Sequence, residues 1–152
     1  MATHVVIGDP HCTPKASNER FLWAGRLAAD VRATHIICMG DFCSMDSLSS
    51  YDKKKKSFEG RRYQKDMQHS HEALSLFNKG LGKHKPRKIM LHGNHEDRID
   101  RFVDENPELD GTLKISDLNF KQYGWQEVPY KQNKVLNGVY YAHHFPSGIL
   151  GS

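Results

Sequence analysis

The sequence has no apolar run near the length of about eighteen residues that a membrane-crossing helix needs, and no basic stretch leading into an apolar one at its start. The expectation is therefore a soluble, cytoplasmic chain with no membrane partner. Cysteine is scarce: Cys12, Cys38 and Cys43 are odd in number and have no Cys-x-x-Cys spacing. That excludes a disulfide framework and a thiolate zinc ribbon, and leaves each cysteine as a small buried residue. No internal repeat and no linker interrupts the 152 residues, so one domain spanning 1–152 is expected. Charge of one sign is not in large excess. A net +4 and a pI of about 8.9 suit an anionic substrate without requiring a polyanion.

Histidine, by contrast, is abundant, with ten in the chain, and the positions of several are informative. The β-branched run from Thr3 to Ile7 stops at Gly8-Asp9-Pro10-His11 and reads as a strand ending in a sharp turn. Asn18 is placed to cap a helix from Glu19 to Arg32, with Phe21, Leu22, Leu27, Ala28 and Val31 at helical spacing. A second apolar strand, Thr34 to Met39, halts at Gly40-Asp41, which makes a βαβ unit with a parallel strand pair. After an irregular polar stretch comes a long helix, Arg61 to about Leu81, closed by Gly80 and Gly82 ahead of Pro86. The strand Arg87 to Leu91 leads into Gly93-Asn94-His95-Glu96 and a short helix to Glu105, with Ile99, Phe102 and Val103 inward. The segment 107–124 carries little signal beyond a helical turn near Ile115 to Phe120. Later, Asn137-Gly138 between two short apolar runs marks a two-residue β-hairpin, whose second arm continues into His143-His144.

Three successive strands thus end in Gly-led turns that carry ligand-type side chains. Parallel neighbours bring such ends to one edge of the sheet, where α/β proteins bind ligands. Two carboxylates, two imidazoles and an amide would meet there, and the hairpin arm could add a third imidazole. Mixed oxygen and nitrogen donors suit Mn²⁺, Fe²⁺, Zn²⁺ or Ni²⁺. A carboxylate such as Asp41 can bridge two ions, and two ions roughly 3.5–4 Å apart can hold a hydroxide and clamp a phosphoryl group.

With Asp9-Pro10-His11, Gly40-Asp41 and Gly93-Asn94-His95-Glu96 in this order, the chain resembles the calcineurin-like metallophosphoesterase superfamily. The stretches Asn94-His95-Glu96-Asp97-Arg98 and Tyr141-Ala142-His143-His144-Phe145-Pro146-Ser147-Gly148 are most similar to those of small phage or bacterial members. The resemblance implies an α/β fold, a metallophosphoesterase-type αββα sandwich with a parallel βαβ core and a late β-hairpin. It implies two divalent metal ions, Mn²⁺ first, with Fe, Zn or Ni as alternatives. Asp9 and His11 would bind one metal, Asp41 would bridge both, and Asn94 and His143 would bind the other. His95 would not ligate but would face the substrate and assist the leaving group. The implied activity is hydrolysis of phosphate mono- or diesters by a metal-bridging hydroxide, in the cytoplasm, or the host cytoplasm if phage-encoded. The family's final Gly-His-x-His motif does not follow His143. The chain therefore reads as C-terminally truncated, with weakened metal sites and an apolar region after Trp125 that favours homo-oligomers. The rival expectation is a silent or weakly active fragment that serves as an interaction or nucleic-acid-binding module.

Other residues carry paired readings. His143 is favoured over His144 as the ligand, because neighbouring strand residues face opposite ways. His4, His35 and His92 lie within strands and are expected to be packed or at an edge, whereas His69, His71 and His84 are expected on the solvent side. The run Lys53 to Lys56 reads as a solvated loop that would attract phosphate backbones. Arg98 either holds a substrate phosphate or pairs with Asp100 or Glu105. Glu96 and Asp97 are candidates to support the ligands or to sit as helix first-turn carboxylates.

Overall fold

A computed structural model describes residues 1–143. His144 and residues 145–152, including the rest of the hairpin-arm motif, lie outside the described residues. The chain is mixed α/β. Strands β1 (His4–Ile7), β2 (His35–Cys38), β3 (Arg87–Leu91) and β4 (Trp125–Val128) form one fully parallel sheet in sequence order. A separate antiparallel hairpin pairs β5 (Asn133–Leu136) with β6 (Val139–Ala142). Its turn residues Asn137 and Gly138 both have positive φ, as a tight primed turn requires.

Alternation along the strands sorts side chains into two layers. Ile36, Cys38, Met90 and Trp125 face the helices α1 (Glu19–Asp30) and α2 (Tyr63–Leu81), packing with Phe21, Leu74 and Phe77. Ile37, Ile89, Leu91 and Val128 face the other way and are covered by Leu136 and Tyr141 of the hairpin. Val6 of β1 is half exposed. The hairpin is tied to β1 by polar contacts as well: His4 Nδ1 lies 2.5 Å from the Tyr141 hydroxyl, and His4 Nε2 lies 2.9 Å from Asn137 Oδ1.

Several expectations are corrected. Helix α1 ends at Asp30, and its buried stripe is Phe21, Gly25 and Ala28, while Leu27 (57 % exposed) and Val31 point to solvent. The reason is backbone contact with α2: a Cβ on Gly25 would lie 2.2 Å from the Phe77 carbonyl oxygen, and one on Gly80 would lie 2.3 Å from that of Leu22. Gly80 therefore belongs to a helix crossing, and Gly82, with φ +57°, is the residue that closes α2. Asn18 makes no side-chain cap. Its amide nitrogen donates to the His69 carbonyl at 2.9 Å and Glu72 Oε2 at 2.8 Å, which pins the start of α1 to α2. Residues 94–97 form turns, so α3 runs only over Arg98–Glu105, with Ile99 fully buried and Phe102 and Val103 half-buried. His69, His71 and His84 are half-buried, and each ring meets a backbone carbonyl, of Ala16, Asp117 and Ala33 respectively. All three cysteines are buried and free.

Candidate metal centre

The pairing of β1 with β2 continues past the strands into the loops that follow. The His11 N–H donates to the Asp41 carbonyl (2.9 Å), Cys12 N–H to Phe42 (2.7 Å) and Ser44 N–H to Cys12 (2.9 Å). This zip carries His11 to Asp41 and forces left-handed backbone at Asp9 (φ +25°), His11 (+46°) and Asp41 (+48°). Such conformations cost roughly 1–3 kcal/mol each and persist where surrounding contacts overdetermine them. Two glycines permit the close approach of the loops. A Cβ on Gly93 would lie 2.1 Å from Asp41 Oδ1, and one on Gly40 would lie 2.6 Å from His143 Nδ1.

Glu96 locks the arrangement from below. It is fully buried, and its carboxylate accepts N–H bonds from Gly93 (2.8 Å), Asp41 (3.0 Å) and Cys43 (3.0 Å). Burial pushes its pKa up to about 7 against the opposing pull of those N–H groups. Glu96 is thus neither a metal-facing group nor a helix-dipole carboxylate; it ties the β2 loop to the β3 loop.

Asp41 is the hub. Its Oδ2 lies 3.7 Å from His11 Nε2 and 3.9 Å from His95 Nε2, while Oδ1 lies 3.6 Å from His143 Nε2 and accepts the His95 N–H at 2.9 Å. Asn94 Oδ1 stands 3.2 Å from His143 Nε2, and Asp9 Oδ1 lies 3.8 Å from His143 Nδ1, so Asp9 approaches the His143 side of the cluster. The hairpin delivers His143 by strand parity. It shares a face with Tyr141, which packs on the sheet, and its buried Nδ1 donates to the Met39 carbonyl at 2.5 Å. His95 Nδ1 likewise donates to the Ser44 carbonyl at 2.6 Å. Since a carbonyl only accepts, both rings donate through Nδ1, and Nε2 is the atom turned toward Asp41. Burial holds the His95 pKa below its ordinary value, helped by the charges of Arg98 and His11, so the ring stays neutral.

The donor set fits a divalent cation. Ligand-type atoms of His11, Asp41 and His95 lie within 4.8 Å of one another, so this group could hold a metal ion. Asp41, Asn94 and His143 present a second group of oxygen and nitrogen atoms around the same carboxylate. His95 is nevertheless distinguished from its neighbours: Arg98 Nη2 lies 3.3 Å from its Nε2, where a guanidinium would compete with a cation for the lone pair. Arg98 is committed to that nitrogen and to the Ser44 carbonyl (2.8 Å), rather than to Asp100 or Glu105. The sequence reading missed the Ser44 carbonyl, which orients both His95 and Arg98; a backbone acceptor leaves no side-chain signature. No family model matches the chain, and no curated protein matches it either.

Proposed function

We propose that the chain is a metal-dependent phosphoesterase of the calcineurin-like metallophosphoesterase type, hydrolysing phosphate mono- or diesters at a two-metal centre. In this reading β1–β4 are one sheet of the αββα sandwich and the hairpin begins the second. The observation that carries the proposal is the convergence of the β1, β2 and β3 loops and the end of β6 on Asp41, whose two oxygens face three imidazoles within 3.9 Å. A carboxylate so placed suits a bridging ligand, with His11 toward one ion and Asn94 and His143 toward the other; Asp9, which stands on the His143 side, would have to turn to join His11. Bound divalent ions would supply Lewis acidity to the phosphoryl oxygens and acidify a water nucleophile.

The remaining chemistry belongs to the chain. His95 enters neutral, with the Nε2 lone pair facing Arg98 Nη2 at 3.3 Å, so once that donor turns to the substrate phosphate Nε2 can take a proton and hand it to the departing oxygen. Asp41, 3.9 Å away, favours the charged ring, while Arg98 opposes it and offers positive charge to the substrate phosphate. The test is turnover of aryl phosphate mono- and diesters with Mn²⁺ or chelator, using the wild type and Asp41→Asn. Hydrolysis is expected with metal only and lost in the variant. A chain that binds Mn²⁺ yet cleaves neither ester would overturn the proposal.

A further inference from the structure

A groove of about 400 Å³ opens from the metal centre, with Asn94 and Arg98 lining its inner end. That volume sits at the lower end of the range for small-molecule sites, larger than a bare phosphate needs. Its walls come from the loop before α2, from α3 and from the loop after β4, and they carry both aromatic rings and cations. Tyr51 is 82 % exposed, an aromatic face left in water beside the site. Tyr130 lies on the opposite loop, with Lys131 Nζ 5.5 Å from its ring centroid. Phe102 lines the groove from α3 and carries Lys53 Nζ 5.2 Å over its ring, which places the start of the lysine run Lys53 to Lys56 at the rim. Arg101 adds a further cation. Of the two acidic residues lining the groove, Asp97 pairs with Arg101 at 3.2 Å and Glu105 is exposed, against the three cations Arg98, Arg101 and Lys131; near the groove, Asp52 pairs with Arg61 at 2.8 Å and Lys55 at 3.5 Å.

An exposed ring, with two half-buried ones and several cations in one groove, suits a single strand of nucleic acid. Bases stack on aromatic faces without sequence preference, and phosphates follow the positive charge. A phosphopeptide would use the cations but leave the rings idle. We infer that this groove binds single-stranded nucleic acid, with a base stacked on Tyr51 and flanking phosphates on Arg101 and Lys131, so that the bond presented to the metal centre is a phosphodiester. Cleavage rests on the phosphoesterase reading; binding does not.

The experiment separates the two by measuring anisotropy of a labelled oligothymidylate in chelator, alongside Mn²⁺-dependent hydrolysis of an aryl phosphodiester. Tyr51→Ala should weaken binding about 5- to 160-fold, the range found when a stacking ring is removed. Tyr51→Phe, which keeps the ring, should retain affinity. Affinity should fall with salt, with a log–log slope of roughly −0.7 per phosphate contacted, and Lys131→Ala should flatten that slope by about one such increment. An unlabelled phosphopeptide of equal charge should compete more weakly than the oligonucleotide. Unchanged binding in Tyr51→Ala, or equal competition by the phosphopeptide, would overturn the inference whatever the hydrolysis result. Ring-dependent binding without hydrolysis would support the groove assignment and count against the phosphoesterase reading alone.

Discussion

Glu96 shows how much one buried carboxylate can organise. Its two oxygens receive three N–H donors from two loops, and glutamine, although the same shape, cannot replace it, because the amide nitrogen would meet an N–H head-on. Glu96→Gln should therefore destabilise the fold by about 1–3 kcal/mol for each N–H stranded, measured by urea unfolding at fixed m-value. The pH dependence follows from the raised pKa. Between the ordinary 4.5 and about 7 the folded chain holds a proton that the unfolded chain releases, so this group's contribution to stability falls as pH rises through that window. Glu96→Gln should remove that component of the slope; an unchanged slope would reject the assignment. Asp41 and His95 divide differently. Asp41→Asn should lower Mn²⁺ content per chain at least as much as Asp9→Asn, since it weakens the shared ligand. His95→Ala should keep its metal while turnover drops ~10²–10⁴-fold, the usual weight of a general acid–base group. Metal lost in His95→Ala would make it a ligand instead.

Helices and strands differ in how openly the sequence declares them. β3 is found over Arg87–Leu91 as read, because its apolar run is bounded by Pro86 and Gly93, and Asn137-Gly138 announced the hairpin for equally local reasons. β4 was not legible: Trp125 and Val128, three apart, face opposite sides of the sheet with Gln126 and Glu127 between them, so neither a run nor an alternation results. The contact of α1 with α2 was hidden too, since a glycine written inside a helix does not say which backbone it approaches. Gly80→Ala tests that contact. Intrinsic propensity alone would favour alanine by about 0.8–1 kcal/mol. Yet the new Cβ would sit 2.3 Å from the Leu22 carbonyl oxygen, a backbone atom that cannot swing aside, and overpacking of this kind costs typically 1–3 kcal/mol. A net loss of stability is expected, measured as a lower urea midpoint. A more stable Gly80→Ala would show that the helices do not meet as described. Of the candidate site, the three loops and His143 were legible as motifs in order; the mutual geometry of His95, Arg98 and Ser44, made by turns, was not.

At the scale of the molecule, the candidate metal centre would also be a fastening. Among the described residues no helix is long and apolar enough to cross a membrane; His143 joins the hairpin layer to the loops above the sheet through the Met39 carbonyl and Asn94. Leu136 and Tyr141 hold the hairpin over β2 and β3, while its outer side presents Val135, Val139 and Tyr140 to solvent. An ion shared by Asp41, Asn94 and His143 would cross-link elements contributed by β2, β3 and β6, far apart in sequence. Any ligand that binds only the folded state stabilises it, by about 2.7 kcal/mol at a hundredfold excess over its dissociation constant. In a domain of this size that corresponds to a rise in Tm of very roughly 5–11 °C. Mn²⁺ should therefore raise Tm, chelator should reverse the rise, and Asp41→Asn should abolish it. Hydrogen exchange locates the effect: amides of β5 and β6 should slow along with those of the three loops when Mn²⁺ is added, and His143→Ala should uncouple the hairpin while the loops around His11 still respond. A uniform slowing across the whole chain would indicate global stabilisation without the fastening. Protection confined to the loops in the wild type would take His143 out of the metal centre.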